Sequence, residues 1–361
     1  MNPIKKNKYS IFFNLNGYTE ISKYILQNKF EKILIITDDN TKESCLDVFL
    51  SSFKNQNNEI YDLISSRSHN YSVKFGEANK NIFSSILIWK FLIKKGFKRN
   101  DLIINLGGGM ITDLGGFVAS TYMRGIKFIN IPTTLLGMVD ASIGGKTGID
   151  FNGIKNIIGD FKFAKIILID FRYLKTLSKR QKIAGYAEMI KHCLLRDRDG
   201  WSNIKKVNSI ESISKEMIYH SINIKINIID KDPLESEVRK YLNFGHTLGH
   251  AIESYLLGTK QELLHGEAIA IGLILETYLS YLKKDFDYEI VKEVKSYIKN
   301  FFKIVKFNEA DISKIINLLK YDKKNIDEKP RFVLLEDLGK PIINQLVNEK
   351  DIIDAFKFYT N

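Results

Sequence analysis

Leu102-Ile103-Ile104-Asn105-Leu106-Gly107-Gly108-Gly109-Met110-Ile111-Thr112-Asp113-Leu114-Gly115-Gly116 reads as a strand, a glycine turn and a helix in direct succession. The opening apolar run suits a strand buried on both faces of a sheet. The glycines let the backbone turn tightly, and the helix start offers free N–H groups and a partial positive charge there. This is how α/β proteins hold phosphates. The run matches the first two glycines of the dinucleotide fingerprint but carries Thr112 in place of the third, so by itself it is equally a plain tight turn.

Working outward, the same alternation repeats. Lys32-Ile33-Leu34-Ile35-Ile36 is a short β-branched run ending at Thr37-Asp38-Asp39-Asn40. Asn81 to Lys95 has helical periodicity and stops at Gly96, a natural cap. Phe128 to Ile131 is a further strand, halted by Pro132-Thr133-Thr134, and Ile166 to Asp170 reads as the last one. Strands separated by helices predict an α/β fold with a mostly parallel sheet covered on both sides. After Asp170 the long apolar-periodic segments Ala184–Leu195, Ile213–Ile229, Thr247–Leu257 and Ala268–Leu282 take over. The expected division is therefore an α/β domain over 1–170 and an α-helical domain over 171–361, ordinary sizes for a chain of 361 residues.

Hydrophobic content of 44% with 27% charged residues is that of a globular protein. The net charge of +12 raises the question of nucleic acid. However, the lysines are scattered, and no basic block interleaves with aromatics, so no nucleic-acid partner is expected. A positive surface would instead favour an anionic substrate. No signal-peptide core precedes the first strand-like run, and no long uninterrupted apolar stretch could span a bilayer. A soluble, cytoplasmic protein without membrane association is expected, and the two distant cysteines, Cys45 and Cys193, suit a reducing compartment.

Three of the six histidines, His246, His250 and His265, lie close together in sequence, each near a glycine. His246 and His250 are four apart and share a helix face. With Glu188 upstream, they suit a metal site, since imidazole and carboxylate are zinc ligands and a catalytic site keeps one position open. Thr247-Leu248-Gly249 between them excludes the metalloprotease arrangement. Ser142-Ile143-Gly144-Gly145-Lys146-Thr147 looks like the end of a nucleotide-triphosphate loop, but Asp140 stands where its first glycine belongs. What remains is a glycine-flanked lysine near Asp140, with Lys155-Asn156 further on, a set placed to grip an anion. Glu188 and Lys191 share a helix face, either as a surface ion pair or, given their apolar surroundings, as buried working groups.

These segments together closely resemble the 3-dehydroquinate synthase family, from about Phe75 to Lys324. Asp113-Leu114-Gly115-Gly116-Phe117, Tyr122-Met123-Arg124-Gly125, Val139 to Thr147, Gly185 to Lys191 and Leu242 to Glu253 fall in family order, as do His265-Gly266-Glu267 and Asp322-Lys323-Lys324. The resemblance implies a dinucleotide-binding domain and a helical domain with the active site in the cleft between them, one bound NAD and one divalent metal (Zn²⁺ or Co²⁺). It further implies conversion of 3-deoxy-D-arabino-heptulosonate 7-phosphate to 3-dehydroquinate and phosphate. In that reaction a ring hydroxyl is transiently oxidised, phosphate is eliminated, the ketone is reduced back, and the ring opens and recloses by an aldol addition.

By motif match, Glu188, His246 and His265 would hold the metal, whereas His250 falls where the family contacts substrate near its phosphate. Lys146, Lys191, Lys225, Arg239, Asn156 and Asn243 would surround the substrate with Asp140 nearby, and Arg124 matches a position reaching a neighbouring subunit's phosphate site, which implies a homodimer. The NAD matches are Asp38, Asn40, Gly76, Glu77, Lys80, Gly109, Met110, Ile111, Thr112, Asp113, Thr133, Thr134, Lys146, Lys155, Tyr173, Leu174, Lys175 and Thr176. Asn79 replaces the aromatic usual before that first lysine. Other sugar-phosphate cyclases, making 2-deoxy-scyllo-inosose or 2-epi-5-epi-valiolone, use substrates without a carboxylate; the pair Lys225 and Arg239 favours the dehydroquinate reading. A metal-dependent polyol dehydrogenase would need no anion-binding lysines, and a non-catalytic basic protein would not explain the Glu/His set.

Overall fold

Ile33–Asp38 and Leu102–Gly107 are buried at every residue, which an apolar strand achieves only when both faces of its sheet are covered. The structure, a computed structural model, describes residues 1–152, 154–319 and 330–361. It divides into two compact units, Met1–Ser178 and Lys179–Asn361. The strands of the first unit are β1 (Ile4–Lys5), β2 (Ser10–Phe13), β3 (Ile33–Asp38), β4 (Ser68–Val73), β5 (Leu102–Gly107), β6 (Lys127–Pro132), β7 (Lys146–Phe151), β8 (Ile154–Phe161) and β9 (Ile166–Ile169). Seven of them form one sheet in the order β1-β2-β9-β6-β5-β3-β4, parallel throughout except for the β1–β2 pair. Helices α1 (Asn14–Asn28), α2 (Asp39–Lys54), α3 (Asn58–Arg67), α4 (Ile82–Lys94) and α5 (Gly109–Thr121) connect its strands.

The chain runs from β3 outward to β4 and then crosses back to β5, so the strand order reverses between β3 and β5. In open α/β sheets ligands bind at such a reversal, outside the carboxyl ends of the strands. Asp38 ends β3 and Gly107 ends β5, so the fold puts the two sequence signals side by side.

The second unit is mainly helical: α6 (Lys179–Arg196), α7 (Arg198–Ile204), α8 (Lys215–Lys231), α9 (His246–Leu256), α10 (His265–Lys284), α11 (Tyr288–Phe301), α12 (Glu309–Leu319) and α13 (Glu349–Thr360). The α/β-then-helical architecture is the one expected. One expectation is corrected: Ile166–Ile169 is not the last strand. An antiparallel hairpin, β10 (Phe332–Asp337) and β11 (Lys340–Gln345), lies within the helical unit. Phe332, Val333, Leu334 and Leu335 are all buried, and a run this short and this apolar gives no periodicity by which to tell strand from helix. The segment from Lys146 to Phe161, which carries Lys155 and Asn156, is the β7–β8 hairpin. β4 was also missed, because Ser68-His69-Asn70-Tyr71-Ser72 is polar, as an edge strand can be. Among the described residues no helix is long and apolar enough to cross a membrane.

Candidate active site

α6, α9 and α10 of the second unit bring four potential ligands together because glycines let their backbones approach. A Cβ at Gly266 would lie 1.8 Å from the carbonyl oxygen of Ala184, and one at Gly272 would lie 1.9 Å from that of Gly245. Neither position tolerates a side chain. The result is that Oε1 of Glu188, on α6, stands 3.5 Å from Nε2 of His246 and 3.8 Å from Nε2 of His265. Ligands at about 2.0–2.2 Å from one tetrahedral ion stand about 3.3–3.6 Å apart, so the His246 spacing falls in the range of a shared metal and the His265 spacing lies just above it. Nitrogens of His246, His250 and His265 also lie within 4.8 Å of one another.

Each ligand is aimed by a neighbour. His246 Nδ1 is 3.1 Å from the Phe244 carbonyl oxygen and His265 Nδ1 is 3.2 Å from Oε2 of Glu253. Both acceptors fix the proton on Nδ1 and leave the Nε2 lone pair facing Glu188. Glu188 itself is fully buried and ion-paired with Lys191, which is 1% exposed and donates to the Leu242 carbonyl at 2.8 Å. Apart from the Lys191 ion pair, no hydrogen bond among the described residues reaches either carboxylate oxygen of Glu188. A buried carboxylate in that state, faced by two imidazole nitrogens, fits a cation.

The expected substrate residues of this unit are buried as well. Lys225 on α8 is 5% exposed, and Arg239, in the 3₁₀ turn Val238–Asn243, is 2% exposed. Arg239 is set by the preceding loop: its guanidinium donates to the Pro233 carbonyl, and Asp232 accepts from the backbone N–H groups of Ser236, Glu237 and Arg239. Burial works against ionisation of Asp232, but the N–H groups of Glu237, Ser236 and Arg239 outweigh it and hold its carboxyl at about 2. Asn243 donates to Glu235 Oε1 at 3.0 Å. His250 follows one turn after His246 on α9, with ring centres 5.1 Å apart.

In the first unit, Lys80 is the hub. It is buried and faces Glu77 at 2.6 Å, Asp113 at 3.5 Å and Asp150 at 3.7 Å, while Lys155 reaches Glu77 at 3.3 Å. Burial pushes Asp113 up to about 6 in spite of the Lys80 ammonium. Gly76 precedes this cluster with φ 107°, and Asn79, in place of the usual aromatic, donates back to the Phe75 carbonyl. Gly109, Met110, Ile111, Thr112 and Asp113 form the first turns of α5. Asp38, buried, caps α2 through the N–H of Thr41, with Asn40 exposed beside it. Thr133 and Thr134 follow β6, and Thr134 accepts from the Gly137 N–H. Lys146 opens β7, Asn156 stands on β8 with its N–H on Asp150, and Asp140 lies in the turn Gly137–Ala141. Tyr173, Leu174, Lys175 and Thr176 lie in or just after the 3₁₀ turn Phe171–Lys175, where the Tyr173 hydroxyl is buried against that of Tyr18 at 2.8 Å. Arg124 is exposed in a turn. Asp322-Lys323-Lys324 lies outside the described residues.

A family model described as 3-dehydroquinate synthase N-terminal matches residues 70–184, and its C-terminal counterpart matches residues 185–325. A 3-dehydroquinate synthase of Parabacteroides distasonis is 38% identical over 344 residues, covering 94% of this chain and 95% of that protein. The chain belongs to the 3-dehydroquinate synthase family.

Solved structures share the fold. A 2-deoxy-scyllo-inosose synthase complexed with carbaglucose-6-phosphate, NAD⁺ and Co²⁺ superposes with a TM-score of 0.83 at 23% identity, over 97% of this chain and 96% of that one. A 2-epi-5-epi-valiolone synthase from Streptomyces hygroscopicus with NAD⁺ and Zn²⁺ bound gives 0.81 at 21% identity, over 100% and 99%.

Four acidic residues of this dehydroquinate synthase family member were given no role in the sequence reading. Glu253, one turn past His250 and two past His246, could have been found from that spacing on α9. Glu276 accepts from the N–H groups of Gly245 and Leu248 at 2.6 and 3.0 Å, fixing the start of the helix that carries both histidines. It and Asp150 gave no local signal, since a fold brings them in from distant segments; Glu235 lies eight residues before the Asn243 it holds.

Proposed function

We propose that this chain converts 3-deoxy-D-arabino-heptulosonate 7-phosphate to 3-dehydroquinate and phosphate, as a phosphate-eliminating carbon–oxygen lyase. The observation that carries the reading is the buried Glu188 carboxylate, ion-paired with Lys191 and faced by His246 and His265 at 3.5 and 3.8 Å. Family membership supplies the substrate class, and the two buried cations Lys225 and Arg239 supply a partner for its carboxylate.

Glu188, His246 and His265 would hold one divalent metal, and the start of α5 with Asp38 and the Lys80 cluster would hold NAD. When bound, NAD accepts and returns a hydride while the metal makes the alcohol proton easier to lose. The side chains do the rest. Free N–H groups at the first turn of α5 suit a diphosphate. Arg239 and Lys225 orient the carboxylate end of the substrate, an arginine through two parallel hydrogen bonds. His250 would receive the phosphate end and stabilise its departing charge. Lys191, held by the Leu242 carbonyl, balances Glu188 so that the site does not repel an anionic substrate. Arg124, exposed in its turn, would complete a neighbour's phosphate site in a homodimer.

The deciding experiment supplies the heptulosonate phosphate with NAD and Zn²⁺ and measures phosphate and dehydroquinate together. Equal yields of both, without accumulation of NADH absorbance, are expected. NADH production in step with product would make the enzyme a simple dehydrogenase. Efficient cyclisation of glucose 6-phosphate or sedoheptulose 7-phosphate would assign it to the other cyclases.

A further inference from the structure

α11 presents Lys292, Lys295 and Lys299 at intervals of three and four residues, so their amines share one helix face. They open onto a cavity of about 740 Å³, within the roughly 300–1,000 Å³ usual for small-molecule sites. Three rings line the same cavity. Tyr278 of α10 and Phe358 of α13 are stacked with centres 4.4 Å apart, and Tyr288 lies 6.2 Å from Phe358. None of these residues belongs to the catalytic set proposed above.

The charges in this cavity are not balanced. Lys292 has Glu289 at 2.6 Å, and Lys357 has Asp354 at 3.2 Å. Lys295 and Lys299 have no carboxylate within ion-pair distance among the described residues. Lys295 donates instead to the Phe358 carbonyl and stands 4.2 Å from that ring's centre. Burial, and then the neighbouring Lys299 amine, hold Lys295 below the ordinary lysine range. Two adjacent ammonium groups repel, and an anion between them would relieve that repulsion. A bare anion would leave the rings unused, whereas a neutral aromatic would leave the amines unanswered.

We propose that this cavity is a second ligand site, taking a planar aromatic anion whose ring meets Tyr278, Tyr288 and Phe358 and whose carboxylate or phosphate meets Lys295 and Lys299. The test is calorimetric titration of the full chain with benzoate and phenyl phosphate, against cyclohexanecarboxylate, inorganic phosphate and benzyl alcohol. At least one aromatic anion should bind more tightly than all three controls, and whichever binds better identifies the acid group. In Lys295→Gln/Lys299→Gln that binding should weaken by about tenfold or more. The single variant Lys299→Gln, which leaves the Lys295 stem on Phe358, should show the same direction if the double variant folds poorly. In Arg239→Ala it should be unchanged, which separates this cavity from the proposed substrate site. Absence of aromatic-anion binding, equal binding of a control, or affinity unmoved by Lys299→Gln would overturn the proposal.

Discussion

Glu253 Oε2 sits 3.2 Å from His265 Nδ1, joining α9 to the first residue of α10 behind the face that His265 turns to Glu188. A carboxylate in that position orients the ring and raises the basicity of Nε2, and partners of this kind are worth about 10–100-fold in metal affinity. Glu253→Gln should therefore weaken zinc binding by about tenfold, and Glu253→Ala by more. Competition with a chromophoric chelator measures it; unchanged affinity would reduce Glu253 to a packing residue.

His246→Ala and His265→Ala should each lose the bound metal and turnover while NAD still binds. His250→Ala should keep the metal and lose activity. Metal content by mass spectrometry separates the cases, and a metal-free His250→Ala would move that residue into the ligand set, as its nearness to the other two rings permits.

Gly266→Ala places a methyl group 1.8 Å from the Ala184 carbonyl, so α10 must move away from α6. Overpacking of this kind costs about 1–3 kcal/mol. Because His265 and Glu188 ride on those two helices, metal affinity should fall together with the melting temperature. Full metal affinity in a destabilised variant would show that the strain is taken up elsewhere.

Arg239→Ala should cut activity on the heptulosonate phosphate by at least about thirtyfold with metal and NAD content unchanged. A buried anion that loses its partner forfeits on the order of 2–5 kcal/mol, which spans about thirtyfold to several thousandfold. Steady-state rates on the purified variant are the check.

Asp232 couples the same loop to pH. Its carboxyl is depressed from 3.8 to about 2, so between those values the unfolded chain binds more protons than the folded one. Stability from this group is complete above about pH 4 and is lost as pH falls toward 2. Urea melts should therefore show Asp232→Asn less stable than wild type at neutral pH, with the gap closing across that acid window. A gap independent of pH would mean that the aspartate acts through shape rather than charge.

The buried parallel strands were legible because β3 and β5 are continuous apolar runs, a composition that leaves few alternatives in a chain of alternating elements. α6, α8, α9 and α10 of the second unit were legible from periodicity, and the histidine cluster from proximity in sequence. β10 was not, since four consecutive buried residues carry no period, and neither was the polar edge strand β4. Glu188 was legible as a candidate from its apolar helical surroundings, and its place among the ligands came from the family motif, because it lies 58 residues from His246.

The sequence by itself therefore determined the buried strands β3, β5, β6 and β9, the strand–glycine–helix turn and the kinds of ligand available, since each depends on residues near one another along the chain. Tertiary structure decided which partner each buried carboxylate meets. Glu253 behind His265, Glu276 beneath α9 and Asp150 beside Lys80 act through distances that arise only when separate segments pack. Only Glu253 carries a local signal, its spacing from His246 and His250, and only the approach of α10 to α6 and α9, made possible where Gly266 and Gly272 lack side chains, converts spacing along the chain into a site.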